Sequence, residues 1–323
     1  MKRHKICKII LAILSVFLCV AFYELIGICI TYKKQPAVSD ATIKETQNIM
    51  SVAGRENTER AVIIEKNSQA LLERVRLIQN AKDEIILSTF AFKSDESGRL
   101  ILGALHDAAD RGVHVRILVD GMESWIDMEG NPYFYGLSSH ENVEIKLYNK
   151  ANPLKPWKTM GRMHDKYLIA DGKIYILGGR NTYNYFLGDF PGYKNFDRDV
   201  LVVCDEPQKD NSVNQLWNYF ETIWEQEDCR YFHNSKKLAD RQSVKKAVLE
   251  LQKGYQQYFE VNKEKICDTD YADETFETEK IILLSNPIHT GAKEPVVWYQ
   301  LGELMKNAKE RVKIHTPYIF AMI

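Results

Sequence analysis

The run of residues 163–181 restricts this chain most, because it sets a β-hairpin and with it the direction of several polar side chains. His164 and Lys166 stand two apart, so in an extended chain they project to one face, which Leu168 and Ala170 continue while Tyr167 and Ile169 point the other way. Asp171-Gly172-Lys173 reads as a tight turn, since Asp-Gly supplies the positive φ that such a turn needs. A second strand over 174–177 then ends at Gly178-Gly179, where the missing Cβ atoms let the backbone come close to whatever sits beside His164. Arg180 and Asn181 follow at once.

Written as His-x-Lys-x4-Asp-x6-Gly-Gly-x-Asn, the run resembles the HKD motif of the phospholipase D superfamily, in its bacterial cardiolipin-synthase-like branch. The residue types suit a phosphodiester. A near-neutral imidazole attacks phosphorus when its proton is held on the far nitrogen and a cation absorbs charge on the non-bridging oxygens. The resemblance implies His164 as the nucleophile, forming a phosphohistidine that water or an alcohol resolves, with Lys166 and Asn181 as oxygen clamps. It implies no metal and no cofactor, because Lys and Asn take that role.

Asp171 opens the turn, so its expected role is positioning. Asp199 precedes the apolar run 200–203 and resembles the family carboxylate that accepts the imidazole N–H; on residue type alone it is equally a strand-start residue or a partner of Arg198. Arg162 is either a second phosphate contact or a solvated basic residue. With Gly178, Gly179 and Arg180 it makes up the expected substrate-binding set.

The start of the chain is different in kind. Lys2, Arg3, Lys5 and Lys8 precede residues 9–32, which are apolar apart from Ser15, Glu24, Gly27 and Thr31 and long enough to cross ~30 Å of hydrocarbon as a helix. Glu24 is tolerated there if it is protonated, paired or near the interface. No small-x-small cleavage site follows Cys29, which favours a retained anchor over a cleaved signal. The basic residues before the span outnumber Lys33 and Lys34 after it, so the expectation is a single-pass protein of the cell membrane with its catalytic part outside the cytoplasm.

Residues 1–8 are thus a cytoplasmic basic stretch, 9–32 an anchor, and 33–61 a linker with a short helix. Residues 62–229 read as a first repeat carrying the motif. Its expected elements are a helix opened by Ser68 and ending near Asn80, a strand over 84–92, a helix over 100–111 stopped by Gly112, and strands over 113–119 and 143–148. The hairpin, the strand 200–203 and an amphipathic helix over 211–226 complete it. Between them, 122–137 is loop-rich, and its Trp125, Tyr133, Phe134 and Tyr135 either line a lipid cleft or pack the loop. This alternation is α/β, and with the resemblance it implies a phospholipase D-like layered α-β-α domain with a mixed sheet.

Residues 230–278 read as a connecting helical segment. Residues 305–319 align without a gap on 78–92, sharing Asn-Ala-Lys and a Thr, so 279–323 reads as the start of a second repeat; two unrelated helix-to-strand junctions would give the same short match. His315 is followed two residues on by Pro317 where a second motif would have Lys. The expectation is therefore a truncated second repeat. A missing C-terminal half, or a homodimer, would supply the second histidine that acts as general acid in two-motif relatives.

Cys204, Cys229 and Cys267 form an odd set without metal-like spacing; Cys204 reads as core, and Cys229 and Cys267 either pair or stay free. The chain has 43 basic and 44 acidic residues, which argues against the basic groove of a nucleic-acid enzyme. The sequence thus points to a membrane-anchored phosphatidyltransferase or phosphodiesterase acting on a phospholipid such as phosphatidylglycerol, as a cardiolipin synthase does. The alternatives are a nuclease-type phosphodiesterase and a catalytically inactive truncated family member.

Overall fold

In the computed structural model, which describes residues 2–51, 58–233 and 235–314, the apolar runs line up in one sheet. The elements in order are α1 (Lys2–Tyr32), α2 (Asp40–Ser51), β1 (Arg60–Ile64), α3 (Asn67–Asn80), β2 (Glu84–Thr89), α4 (Glu96–Asp110), β3 (His114–Asp120), α5 (Gly121–Asp127), α6 (Pro132–Ser138) and β4 (Val143–Tyr148). They continue with β5 (Tyr167–Ala170), β6 (Ile174–Gly178), β7 (Asp199–Val203), α7 (Ser212–Trp224), β8 (Cys229–Tyr231), α8 (Lys236–Ala239), α9 (Gln242–Cys267), β9 (Phe276–Glu277) and α10 (Val296–Lys306).

The described strands form a nine-stranded sheet in the order β8-β4-β3-β2-β5-β6-β7-β1-β9. Strands β2, β3 and β4 are parallel, and β5, β6, β7 and β1 are joined by antiparallel pairings. The two halves meet where β5 runs antiparallel to β2, with Ser88 opposite Tyr167. One edge of the sheet therefore collects the C-terminal ends of β2, β3 and β6 and the N-terminal ends of β5 and β7. Every polar residue of the motif except Asp171 lies at that edge.

Alternation along the strands builds a core on each face. Ile85, Leu87, Val115, Ile117, Leu168 and Ala170 pack with residues of α3, α4 and α9. Ile86, Leu118, Tyr167, Ile169 and Val202 pack on the other side with Val213, Leu216 and Phe220 of α7. The result is a layered α-β-α body with a mixed sheet, and α1 is one apolar helix long enough to cross a membrane.

Local chemistry explains where the elements depart from the sequence expectations. Strand β2 stops at Thr89 instead of 92, and the His164-Lys166 pair stands just ahead of β5 instead of inside it. Helix α4 starts at Glu96 because the Asp95 side chain caps it, accepting from Gly98 N–H at 3.1 Å. The segment expected as loop holds α5 and α6, opened by Asp120 and Asn131 side chains that accept from Met122, Glu123 and Tyr133 N–H. Ser68 does not cap α3, which begins at Asn67 with Lys66 at the cap position.

The turn is as expected, with Asp171 and Gly172 at φ of 52° and 61°. All six cysteines are free. Residues 33–61 include α2, which is docked: Glu294 Oε1 accepts from Ser39 N–H and Thr42 Oγ1 at 2.7 and 2.6 Å. Helix α10 ends at the Asn307 cap, the position that aligns with Asn80 at the end of α3. Residues 311–314 are not strand, and 315–323, including His315, lie outside the described residues.

Candidate active site

The edge where β2 and β3 end and β5 begins brings three basic side chains around one ring. Phe90, the residue after β2, has its ring 4.6 Å from the His164 imidazole, edge to face. The Arg162 guanidinium stands 4.9 Å and the Lys166 ammonium 5.4 Å from the same ring. Phe90 is thus the floor on which an imidazole and two cations are assembled, at distances where the ring face attracts positive charge. An apolar residue ending a strand reads as core, so nothing in the linear pattern singles it out.

Asp120 at the end of β3 fixes the second cation. Its carboxylate accepts from Arg162 Nε at 2.9 Å to each oxygen and from Met163 N–H at 3.1 Å, while it caps α5. Glu123 lies 3.4 Å from Arg162 Nη2. Burial opposes the Arg162 charge, but these carboxylates raise its pKa. Asp120 is 1% exposed, so this brace is part of the fold.

His164 has no hydrogen-bond partner for its ring among the described residues, and it is open to solvent. Burial of one side, then Lys166, lowers its pKa below the ordinary value and keeps it neutral near pH 7. Lys166 is 6% exposed; burial pulls its pKa down to about 8, opposed by Asp165 and Asp197. Its ammonium donates to the His164 carbonyl, which ties the two motif residues together. Asn181 Oδ1 accepts from Ala91 N–H at 3.1 Å, leaving Nδ2 without a protein partner among the described residues.

Under the motif, Asp165 accepts from Tyr219 O–H at 2.7 Å. Burial raises the Asp165 pKa, and Lys293 is among the charges that oppose the rise. Burial lowers the Lys293 pKa in turn, with Asp165 working against it. Neither Asp165 nor Lys293 stood out in the sequence.

Other expected site residues are engaged elsewhere. Asp171 sits at the opposite edge, where its carboxylate accepts from Lys82, Asp83 and Glu84 N–H at 2.9 Å each and pins the hairpin to the turn before β2. Arg180, expected to bind substrate, is 1% exposed and bonded to Asn67 Oδ1 and to the Ile64, Glu65 and Asp197 carbonyls. Asp199, expected to accept from the imidazole, is instead held between Arg74 Nη1 at 2.9 Å and Arg180 Nη1 at 3.2 Å. A buried carboxylate between two buried guanidiniums has its charge balanced by them, although neither oxygen makes a hydrogen bond, and it makes none with the imidazole.

The glycine pair makes room for this arrangement. A Cβ on Gly178 would lie 2.0 Å from Asp199 Oδ1, and one on Gly179 would lie 2.0 Å from Asp197 Oδ2. The close approach is to β7 and the residues before it. Among the described residues no cluster of His, Cys, Asp or Glu could hold a metal ion.

The comparisons with known proteins fall on this same region. A family model described as "Cardiolipin synthase, PLD-like domain" matches residues 75–224. An uncharacterised protein of Helicobacter pylori (strain ATCC 700392 / 26695) is 33% identical over 181 residues, 52% of this chain and 35% of that protein. Cardiolipin synthase C of Escherichia coli (strain K12) is 30% identical over 154 residues, 43% of this chain and 31% of that enzyme. The chain spans about a third of the length of these curated relatives. Among solved structures, NucT from Helicobacter pylori aligns with a TM-score of 0.42 at 18% identity, over 54% of this chain and 99% of that one.

Proposed function

With residues 75–224 a domain of the phospholipase D superfamily, we propose that the chain is a membrane-anchored phosphatidyltransferase of the cardiolipin-synthase type, working through a phosphohistidine at His164. One observation carries this reading: an imidazole with no hydrogen-bond partner among the described residues stands with two cations over Phe90, at a place open to solvent. His164 attacks phosphorus, and the bond to the leaving alcohol breaks. Lys166, Arg162 and the free amide nitrogen of Asn181 take the charge on the non-bridging oxygens. An incoming alcohol or water then attacks the phosphorus, its proton passes to the base that protonated the leaving group in the first step, the P–N bond breaks, and the imidazole is released.

The leaving alkoxide takes up a proton. A second histidine is its proposed donor, contributed by further residues of the protein or by a second copy of this chain. The anchor is α1, whose length and apolar composition suit a bilayer and would keep the site near phospholipid. The nuclease reading is less favoured, because 43 basic against 44 acidic residues lack the excess of positive charge expected of a polyanion-binding enzyme. The test is to supply phosphatidylglycerol in vesicles and assay for cardiolipin and glycerol. Formation of both, lost in His164→Ala, is the expected result; release of phosphatidic acid alone would make the chain a hydrolase, and turnover unchanged in His164→Ala would remove the nucleophile assignment.

A further inference from the structure

Helix α1 is exposed along its first part and engaged along its last. Tyr23 O–H donates to the Leu154 carbonyl at 3.2 Å, Thr159 Oγ1 donates to Glu24 Oε2 at 3.1 Å, and Tyr32 O–H donates to the Thr290 carbonyl at 3.1 Å. A Cβ on Gly27 would lie 2.5 Å from the Pro156 ring, so the helix backbone rests directly on that loop. The undocked apolar part, residues 9–22, rises about 21 Å as a helix, short of the ~30 Å of a hydrocarbon core, so the span is completed by the turns of α1 that meet the loop. A bilayer holding that part therefore reaches the loop, where Glu24 has a hydroxyl partner in Thr159.

The loop itself has the chemistry of a boundary. Leu154, Trp157 and Met160 are 78, 46 and 56% exposed, although the Pro156 between them is buried. Lys150 and Lys155 are exposed and have no ion-pair partner among the described residues. Apolar side chains with a Trp, flanked by unpaired lysines, match the interface of a bilayer carrying anionic lipid. A cavity of about 280 Å³ lies between Glu24 and Ile28 of α1 and this loop, with Arg162 of the site in its wall.

We propose that residues 149–160 are a membrane-contacting loop, which seats Leu154, Trp157 and Met160 in the surface of the bilayer that α1 enters and holds the Arg162-His164-Lys166 cluster at headgroup depth. The inference deepens the phosphatidyltransferase reading and rests on it for the substrate. The occupant of the apolar patch is the bilayer because the patch is continuous with the helix that enters it.

The test reads depth independently of turnover. The full chain, with Cys7, Cys19, Cys29 and Cys267 changed to Ser, receives an environment-sensitive fluorophore at Leu154→Cys or, as a control, at Glu264→Cys on α9. It is reconstituted in vesicles of phosphatidylcholine and phosphatidylglycerol containing lipids with a quencher near the headgroup. Quenching several-fold stronger at 154 than at 264 is expected. Equal quenching, or shielding at 154 that grows with protein-to-lipid ratio and so reports a second copy, would overturn the proposal.

A second arm compares turnover of vesicle phosphatidylglycerol with that of bis(4-nitrophenyl) phosphate in solution. The Leu154→Ser/Trp157→Ser/Met160→Ser variant should lower the ratio of the two about tenfold; an unchanged ratio would count against the loop. A wild-type chain that turns over neither ester would sink the enzymatic reading, while the depth measurement would still decide the loop.

Discussion

Two charged clusters lie at the same edge of the sheet, and their contrast separates chemistry from architecture. Around Phe90, Arg162 is braced by Asp120, but His164 has no ring partner and Lys166 gives its proton only to a backbone carbonyl. Around Asp199, Arg74 and Arg180 close on one carboxylate inside the protein, with every side chain at most 5% exposed. In the first cluster the Lys166 ammonium has no carboxylate at ion-pair distance among the described residues, a place an anionic ligand would fill. In the second, both guanidiniums are paired to the one carboxylate. Residue types alone do not distinguish them, since each combines arginines or lysines with an aspartate; what differs is that the first leaves His164 exposed and Lys166 without a carboxylate partner among the described residues, while the second is closed inside the protein.

The largest effect that would sharpen this contrast is on turnover at the open cluster. His164→Ala should lower phosphodiester turnover by at least about 10³-fold, as for loss of a nucleophile, while the thermal midpoint stays near wild type because the ring is exposed and unbonded. Steady-state rates and a melting curve on the same preparation check both halves. Comparable loss of both would place His164 with the structural residues.

The reverse pattern is expected at the closed cluster. Arg180→Met strips Asp199 of one of its two partners, and breaking a buried pair from one side costs about 3–5 kcal/mol. Denaturant unfolding in detergent measures it. A stable Arg180→Met chain with weakened substrate binding would return Arg180 to the ligand site, as the motif suggested.

Proton linkage gives a further separation. Turnover needs neutral His164 and charged Lys166, so it should fall on the acid side as the imidazole, already shifted below its ordinary value, takes a proton. It should fall on the alkaline side as Lys166 loses its proton near the value of about 8 set by burial, or somewhat higher with an anionic substrate bound. Lys166→Arg keeps the charge and should move the alkaline limb up by more than a pH unit, at reduced rate. An alkaline limb that does not move would assign it to another group.

The smallest effect is at the floor. Phe90→Leu keeps an apolar contact and removes the ring face, worth about 1 kcal/mol to the cations above it, so turnover should fall about fivefold. A profile of rate against pH should show the Lys166 limb displaced in the same variant. No change in either would make Phe90 ordinary packing.

The parts of this arrangement that depend on neighbours in sequence were legible in advance. The Asp-Gly turn, the alternation of Leu168 and Ala170 against Tyr167 and Ile169, and the apolar N-terminal helix all follow from local pattern, and the structure has each of them. The pairing of Asp199 was not legible, because its partner Arg74 comes from α3 and reaches β7 only through the packing of the layers. The role of Asp120, just after the strand run 113–119, was likewise not legible: it caps α5 and orients Arg162 through contacts the linear pattern does not show. Glycines at 178 and 179 were read as space beside His164; the space is taken by Asp199 and Asp197. Motif spacing identifies which residues meet, and burial decides which of them remain free to act.

The central claim is that His164, and no residue of the closed cluster, takes up the phosphorus. The most direct measurement is to incubate the reconstituted chain with phosphatidylglycerol, quench at alkaline pH where a phosphorus–nitrogen bond survives, digest, and locate the adduct by mass spectrometry. The account predicts a phosphorus-containing, acid-labile adduct on the peptide that carries His164, absent from His164→Ala. Turnover with no adduct on that peptide, or an adduct on another residue, would contradict it.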